Sequence, residues 1–174
     1  MSGSVRLFVR SGILALLLLA LAFAVYSSVF KEKGPEVGKA APNFSLKQFD
    51  DSTFKKLSDY RGKAVVLNFW GSWCVPCKTE MPALERQYQR FKDKGLVIVG
   101  INIGESPIVV EPFVQSVGVT FPIWLDSERI VTQLYRISPI PHTFFIDKDG
   151  IIRDTYIGEM TETIMYNKIQ KILP

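Results

Sequence analysis

The sequence has little of three things that would point to other classes of protein: cysteine, histidine and an excess of one charge. Two cysteines in 174 residues exclude a scaffold held by several disulfides and a zinc site with four cysteine ligands. A single histidine excludes any metal site that needs two. Of 21 basic residues, Arg6 and Arg10 precede the main body, which leaves 19 against 17 acidic ones from Lys31 onward. So small an excess argues against nucleic acid as the main partner.

One long uncharged run lies near the N-terminus. Its residues, SGILALLLLALAFAVYSSVF, have the length of a helix that spans the hydrocarbon core of a bilayer. We therefore expect a cytoplasmic tail over 1–10, a transmembrane signal-anchor over 11–30, a linker over 31–39 and one domain over 40–174. Two other interpretations stay open: a cleaved signal peptide, for which Ala22-Phe23-Ala24 offers a small-x-small site, and a buried core helix. Charge does not set the orientation, because basic residues flank the run on both sides.

The rest of the chain alternates between strand and helix patterns. The runs AVVLNFW at 64–70 and LVIVGINI at 96–103 are typical of fully buried strands, and an apolar stripe between them predicts a helix over 76–94 that stops at Gly95. The other predicted elements are a hairpin of 43–49 and 53–57, a helix over 107–117, a strand over 121–125, a helix over 127–135, strands over 143–147 and 151–157, and a final helix capped by Thr161. This order predicts an α/β sandwich with a central mixed sheet.

The chemistry is expected at a Cys-x-x-Cys motif between the first buried strand and the helix that follows it. At a helix N-terminus, unpaired N–H groups and the helix dipole favour the thiolate, so Cys74 is the expected nucleophile. Cys77 lies one turn inside the helix and would resolve the mixed disulfide. Pro76 fits the first turn, where its missing N–H costs nothing. The alternatives are two core cysteines or half of a zinc site, and no second cysteine pair exists to complete the latter.

Two segments of the sequence resemble the signatures of the thioredoxin superfamily. The segment NFWGSWCVPCK at 68–78 resembles its active-site segment, and IPHTF at 140–144 resembles its loop with a cis proline. Within the superfamily, the sequence most resembles the ResA-like proteins. This narrower resemblance is carried by the run GSWCVPCKTEMP, the preceding hairpin, the INIGESP segment and the N-terminal run. It covers residues 38–174, and the N-terminal run extends it to the whole chain. It implies a thioredoxin-like fold with an added N-terminal β-hairpin and a central helix/strand insertion, preceded by one transmembrane helix.

ResA-like proteins are membrane-tethered thiol-disulfide oxidoreductases of bacterial cytochrome c maturation. The resemblance implies a domain outside the cytoplasm that receives electrons from a membrane thiol-disulfide carrier. It also implies that the domain reduces the CxxCH cysteines of apocytochrome c before haem attachment. Related proteins serve spore formation or other reductive tasks, so a general or sporulation-related disulfide reductase stays an alternative. No cofactor is expected beyond the redox-active cysteine pair, and no metal.

Glu80 is the expected proton carrier of the site. It matches an active-site carboxylate of ResA-like proteins, and it lies three residues after Cys77 on a neighbouring helix face. The alternative is an ordinary solvated helix glutamate. Two positions depart from related patterns. Asn68 stands where cytoplasmic thioredoxins have a buried aspartate, and Val75 stands where some ResA-like proteins carry a charge between the cysteines.

Four further residues are candidates for binding or tuning. If the superfamily pattern holds, the Ile140–Pro141 peptide is cis and frees the backbone of Ile140 to pair with an extended substrate. Trp73 is expected to be exposed beside Cys74 as part of the docking surface. His142, the only histidine, could tune the pKa of a nearby thiol, or it could simply pack at the start of a strand.

The same residues allow three other functions to be considered. A copper chaperone on this fold would use Cys74, Cys77 and His142, but such proteins usually space the cysteines by three residues. A thiol peroxidase would need a threonine-x-x-cysteine site, which Gly71-Ser72-Trp73-Cys74 lacks. A non-enzymatic adaptor requires an inert cysteine pair. Pro76 before Cys77 resembles reducing thioredoxins, whereas a histidine there would suggest an oxidant.

Overall fold

The computed structural model describes residues 3–29 and 34–174. The chain divides into an N-terminal unit, which holds helix α1 (Gly3–Val29), and a second unit over Gly34–Pro174. In the part of the chain that is described, we find no helix that is both long enough and apolar enough to cross a membrane. The predicted transmembrane helix at 11–30 is therefore not confirmed, and its last residue lies outside the described residues together with 1–2 and 31–33.

The second unit is built from seven strands and four helices among the described residues. In chain order they are β1 (Ser45–Gln48), β2 (Phe54–Lys56), β3 (Ala64–Trp70), α2 (Val75–Phe91), β4 (Leu96–Ile103), α3 (Pro107–Val117), β5 (Ile123–Asp126), α4 (Ile130–Leu134), β6 (His142–Ile146), β7 (Ile152–Ile157) and α5 (Glu162–Gln170). Short 3₁₀ turns cover Leu57–Tyr60 and Lys92–Lys94.

All seven strands form one mixed sheet in the order β2-β1-β5-β4-β3-β6-β7. Strand β4 runs parallel to β3 and β5, whereas β6 runs antiparallel to both β3 and β7. The hairpin β1–β2 joins the sheet by antiparallel pairing with β5. The predicted α/β sandwich with a mixed sheet is confirmed, and so is the N-terminal hairpin.

Strand β3 lies inside the sheet between β4 and β6, and every one of its residues is buried. Because side chains alternate across a strand, Val66 and Trp70 pack on the face covered by α2 and α5, while Leu67 and Phe69 pack on the opposite face. Burying each large apolar side chain stabilises the fold by about 1.5–3 kcal/mol. The strand thus fixes the position of the loop that follows it, residues 71–73.

Helix α2 begins and ends close to the predicted limits. Cys74 is its N-cap and a proline lies in its first turn. Its last three predicted residues, 92–94, form a 3₁₀ turn instead of α-helix, and Gly95 then reverses the chain at φ 85°. Tightening of the last turn is common at helix ends, and glycine accepts the left-handed conformation without strain.

Two predicted boundaries were wrong around β5. The strand begins at Ile123 and not at 121, because Pro122 has no N–H to give to the ladder. The helix predicted over 127–135 is only α4. The buried carboxylate of Asp126 accepts the N–H groups of Val131 and Thr132 at 3.1 and 2.7 Å, which caps the helix late, after Arg129 has adopted a left-handed conformation.

Candidate active site

The cysteine pair lies at the junction of β3 and α2, where a tight turn precedes the helix. The N–H of Cys74 donates to the Gly71 carbonyl at 3.1 Å and closes this turn. Cys74 then caps the helix, because its Sγ accepts the N–H of Cys77 at 3.2 Å. The two sulfurs are joined as a disulfide. The arrangement therefore holds the oxidised form of a Cys-x-x-Cys pair at a helix N-terminus, where a thiolate on Cys74 is favoured after reduction.

Only one of the two cysteines is within reach of solvent. Cys74 is 5% exposed and Cys77 is fully buried. The side chains on either side of Cys74 are open, with Trp73 62% and Val75 75% exposed. Trp70 lies fully buried beneath the site and stacks on Phe113 at 4.8 Å between ring centroids. A partner protein therefore meets an apolar surface around Cys74 and cannot reach Cys77 directly.

Glu80 is buried on the same helix, one turn after Cys77. Only 1% of it is exposed, which rules out the alternative of a solvated helix glutamate. Its Oε1 accepts the Asn68 amide N–H at 2.7 Å, and its Oε2 accepts the main-chain N–H of Met160 at 3.0 Å. Burial disfavours the charged form and raises the pKa of Glu80 to about 7, because the two hydrogen bonds offset only part of that cost.

Asn68 and Thr143 are parts of this site that sequence reasoning did not find. The amide of Asn68 carries no proton, yet its Nδ2 donates both to Glu80 and, at 3.0 Å, to the Thr143 hydroxyl. The two residues are register partners across β3 and β6, so their side chains lie on one face. A polar residue in the middle of the otherwise apolar run AVVLNFW was the available signal, since buried polar groups almost always have a partner.

The loop before β6 carries two cis peptides, Ser138–Pro139 and Ile140–Pro141. The second confirms the predicted cis proline, and the first was not predicted. The Pro141 carbonyl accepts the N–H of Gly158 at 2.8 Å, which holds the loop against the end of β7. Among the hydrogen bonds found within 34–174, none involves the main chain of Ile140. Its backbone is thus available to an extended chain, as the proposed role in substrate binding requires.

His142 is not brought to the cysteines. It begins β6 one residue before Thr143, so its ring lies on the opposite face of the sheet. There it stacks on Phe144 at 4.6 Å, and its Nε2 lies 2.9 Å from the Thr155 hydroxyl. Burial lowers the pKa of this imidazole, so the ring is neutral near pH 7. These contacts support the interpretation that His142 packs at the start of a strand and does not tune the cysteines.

The metal alternative finds no geometric support. In the described ranges, no group of three or more histidine, cysteine or acidic side chains could hold a metal ion. The copper set of Cys74, Cys77 and His142 is not assembled, because the imidazole packs in the aromatic layer behind the sheet.

Comparisons with known proteins agree with this geometry. The AhpC/TSA family profile matches residues 37–155. The chain belongs to the AhpC/TSA family of thioredoxin-fold proteins. The thiol-disulfide oxidoreductase ResA of Bacillus subtilis is 45% identical over 171 residues, which cover 97% of this chain and 94% of that protein. The protein of the same name from Geobacillus kaustophilus is 41% identical and covers 97% of both chains.

Solved structures show the same fold. The putative thiol:disulfide interchange protein DsbE from Chlorobium tepidum superposes with a TM-score of 0.76 at 27% identity, over 81% of this chain and all of that one. StoA from Bacillus subtilis superposes with a TM-score of 0.63 at 31% identity, over 73% and 96%. The thioredoxin-like fold and the resemblance to ResA-like proteins are confirmed, and the chain is a thiol-disulfide oxidoreductase.

Proposed function

We propose that this chain works outside the cytoplasm as a reductase of protein disulfides, and that its substrate is the CxxCH disulfide of apocytochrome c before haem attachment. The observation that carries the proposal is a buried carboxylate, Glu80, on the same helix as a cysteine pair of which only Cys74 reaches the surface. The similarity to proteins named ResA supports the reaction, and the resemblance to the cytochrome c maturation family supports the substrate.

The exchange proceeds in two steps that transfer two electrons. The Cys74 thiolate attacks one sulfur of the substrate disulfide, and the other substrate sulfur leaves as a thiolate and takes up a proton. Cys77 then loses its proton and attacks Cys74 Sγ, so that the second substrate sulfur leaves and is protonated in turn. The enzyme ends with the Cys74–Cys77 disulfide seen here. A membrane thiol-disulfide carrier supplies the two electrons that restore the dithiol.

Glu80 is the proposed acceptor for the proton of Cys77. That thiol is fully buried, so its proton needs an acceptor inside the protein. A carboxylate with a pKa of about 7 can take a proton and return it at neutral pH, which is the condition for effective general acid-base catalysis. The Asn68 amide donates a hydrogen bond to one oxygen of the carboxylate. It cannot itself exchange a proton at neutral pH, so Glu80 is the proton carrier of the pair.

The substrate is proposed to bind as an extended chain across the cis-proline loop. The free backbone of Ile140 would pair with it by strand-like hydrogen bonds. Trp73 would cover it from the other side of Cys74, since its ring is exposed and apolar. Pro141 keeps the loop close to the end of β7.

We also propose that the N-terminal segment tethers the domain to the cell membrane, with the domain outside. The support is the uncharged run at 11–30, together with the exposed apolar side chains of α1, such as Leu14, Leu17 and Leu21. Protease added to intact protoplasts is expected to remove the domain while the helix stays with the membrane. A protected domain, or a mature chain that starts at Val25 and is free in the medium, would contradict this.

Trapping in cells tests the substrate. In Cys77→Ser the mixed disulfide on Cys74 cannot be resolved, so the substrate stays attached and can be identified by mass spectrometry. We expect a CxxCH protein in the trapped complex, and none in the matched Cys74→Ser variant. Capture of other disulfide proteins without any CxxCH protein would contradict the proposed substrate. It would support the general or sporulation-related reductase instead.

A further inference from the structure

The segment between β4 and α3 reaches the turn that precedes Cys74. Glu105, from that segment, accepts three hydrogen bonds. Its Oε2 accepts the main-chain N–H of Ser72 at 2.8 Å and the Asn102 amide at 2.6 Å, and its Oε1 accepts the Ser72 hydroxyl at 2.5 Å. The sequence shows the INIGESP segment that holds Glu105 and Asn102, but the exchange reaction as described uses neither residue.

These contacts fix the part of the chain that carries the nucleophile. Ser72 lies two residues before Cys74, inside the turn closed by the bond from Cys74 N–H to the Gly71 carbonyl. The Trp73 ring lies so close to Gly71 that a Cβ there would come within 2.8 Å of it. Hydrogen bonds to a carboxylate are shorter and about twice as strong as neutral ones. The bonds from Ser72 to Glu105 therefore hold this turn more firmly than bonds to a neutral acceptor would.

We propose that Glu105 is a positioning residue for the thiol-disulfide exchange. By holding both the N–H and the hydroxyl of Ser72, it keeps Cys74 at the helix N-cap and keeps Trp73 beside it in the geometry that a substrate disulfide meets. Glu105 acts through Ser72 and does not itself carry a proton to sulfur, because its two oxygens are already engaged by three donors.

The rate of the attack on a disulfide is sensitive to the alignment of the attacking sulfur. Disulfide exchange needs the attacking sulfur in line with the bond that breaks, and a displacement of about 1 Å can cost on the order of a hundredfold in rate. Without Glu105, the Ser72 N–H and hydroxyl lose their partners, and the turn between Trp70 and Cys74 relaxes. Trp70 is buried in the core and α2 is held by its own packing from Val75 onward, so the relaxation is confined to 71–74 and includes the N-cap Cys74.

The test uses the full chain, a synthetic peptide with an intramolecular disulfide as substrate, and four variants. Glu105→Ala removes all three bonds, Glu105→Gln keeps one accepting oxygen, and Ser72→Ala removes only the hydroxyl bond. Glu111→Ala, at an exposed position on α3, is the matched control. We expect kcat/KM to fall about tenfold in Glu105→Ala, less in Glu105→Gln, least in Ser72→Ala, and not at all in the control.

A second measurement separates positioning from a general loss of structure. Trp70 and Trp124 are fully buried, whereas Trp73 is exposed, so subtracting the signal of Trp73→Phe isolates the fluorescence of Trp73. Its anisotropy is expected to fall in the same order as kcat/KM. Unchanged kcat/KM in Glu105→Ala would overturn the proposal, as would a loss of activity with unchanged Trp73 anisotropy. If Glu105→Ala does not fold, the other two variants decide by the same criteria.

Discussion

The two faces of the central sheet differ in chemistry although their residues alternate along the same strands. On the face under α2, Asn68 pairs in register with Thr143, and both hold a network that ends at Glu80. One position further along, Phe69 pairs with His142 on the opposite face, where rings pack against rings. The same two strands thus present a polar network to the cysteines and an aromatic layer to the other side.

The comparison shows that the face of the sheet decides which titratable group can take part, and that a place next to the cis-proline loop does not. His142 directly follows the cis proline, yet the alternation of β6 turns its ring away from the disulfide. Glu80 is the expected proton carrier, and its burial and its two donors make it the group whose pKa lies near neutrality. Burying a carboxylate is costly unless it is hydrogen-bonded, so the network around it marks a functional site.

The largest effect is expected at the sulfurs themselves. Cys74→Ser should abolish disulfide reduction and form no mixed disulfide, because the attacking thiolate is gone. Cys77→Ser should also stop turnover but should accumulate mixed disulfides with substrate, which non-reducing electrophoresis measures. Equal trapping by both variants would contradict the assignment of Cys74 as the nucleophile.

The next effect is on stability, and its sign follows from the raised pKa of Glu80. The unfolded carboxyl titrates near 4.5 and the folded one near 7, so between these values the folded state binds the extra proton. The contribution of Glu80 to the free energy of unfolding is therefore fully present below pH 4.5. It is lost as the pH rises through 7, and the total loss is about 3 kcal/mol. Denaturant unfolding of the oxidised wild type and Glu80→Gln at pH 5 and pH 8 measures the difference.

In that experiment the free energy of unfolding of the wild type should fall more than that of Glu80→Gln between the two pH values. Glu111→Gln, which changes an exposed carboxylate, should behave like the wild type. The same fall in wild type and Glu80→Gln would mean that the pKa of Glu80 in the folded protein does not lie near 7.

A smaller effect is expected on turnover. Without a buried proton acceptor, Cys77 ionises more slowly, so Glu80→Gln should reduce the steady-state rate on a peptide disulfide about tenfold or more. Asn68→Ala removes a donor to the ionised carboxylate and should reduce the rate less. A rate in Glu80→Gln equal to that of the wild type would assign the proton transfer to another group or to water.

The smallest effect is expected on the aromatic face. His142→Phe removes the contact with Thr155 but keeps a ring against Phe144, and Thr155 retains its bond to the Thr143 carbonyl. We expect turnover within about twofold of the wild type and a loss of about 1 kcal/mol in unfolding free energy. A tenfold loss of turnover would remove the distinction between the two faces.

The sequence was sufficient where the signal is local. The buried run of β3 predicts the strand, and the proline after the first cysteine predicts the helix start, both from neighbouring residues alone. The Thr161 cap was found for the same reason, because its side chain accepts the N–H of Ile164 only three residues away.

The parts of the site that were missed depend on contacts between distant segments. The Met160 N–H that holds Glu80 lies 80 residues further along the chain, and Glu105 lies 33 residues from the Ser72 that it holds. Nothing in the local pattern predicts which segments meet. The face occupied by His142 depends on the register of β6, and a shift of one residue exchanges the faces.

The most direct test of the difference between the two faces is the pH dependence of Cys74 alkylation in the reduced protein. In the proposed mechanism Glu80 exchanges a proton with Cys77, so the wild-type curve should be broader than a single ionisation, and Glu80→Gln should reduce it to a single-site curve with a displaced midpoint. His142→Phe should leave the wild-type curve unchanged. An unchanged curve in Glu80→Gln, together with a displaced one in His142→Phe, would place the proton chemistry on the other face of the sheet and contradict the account.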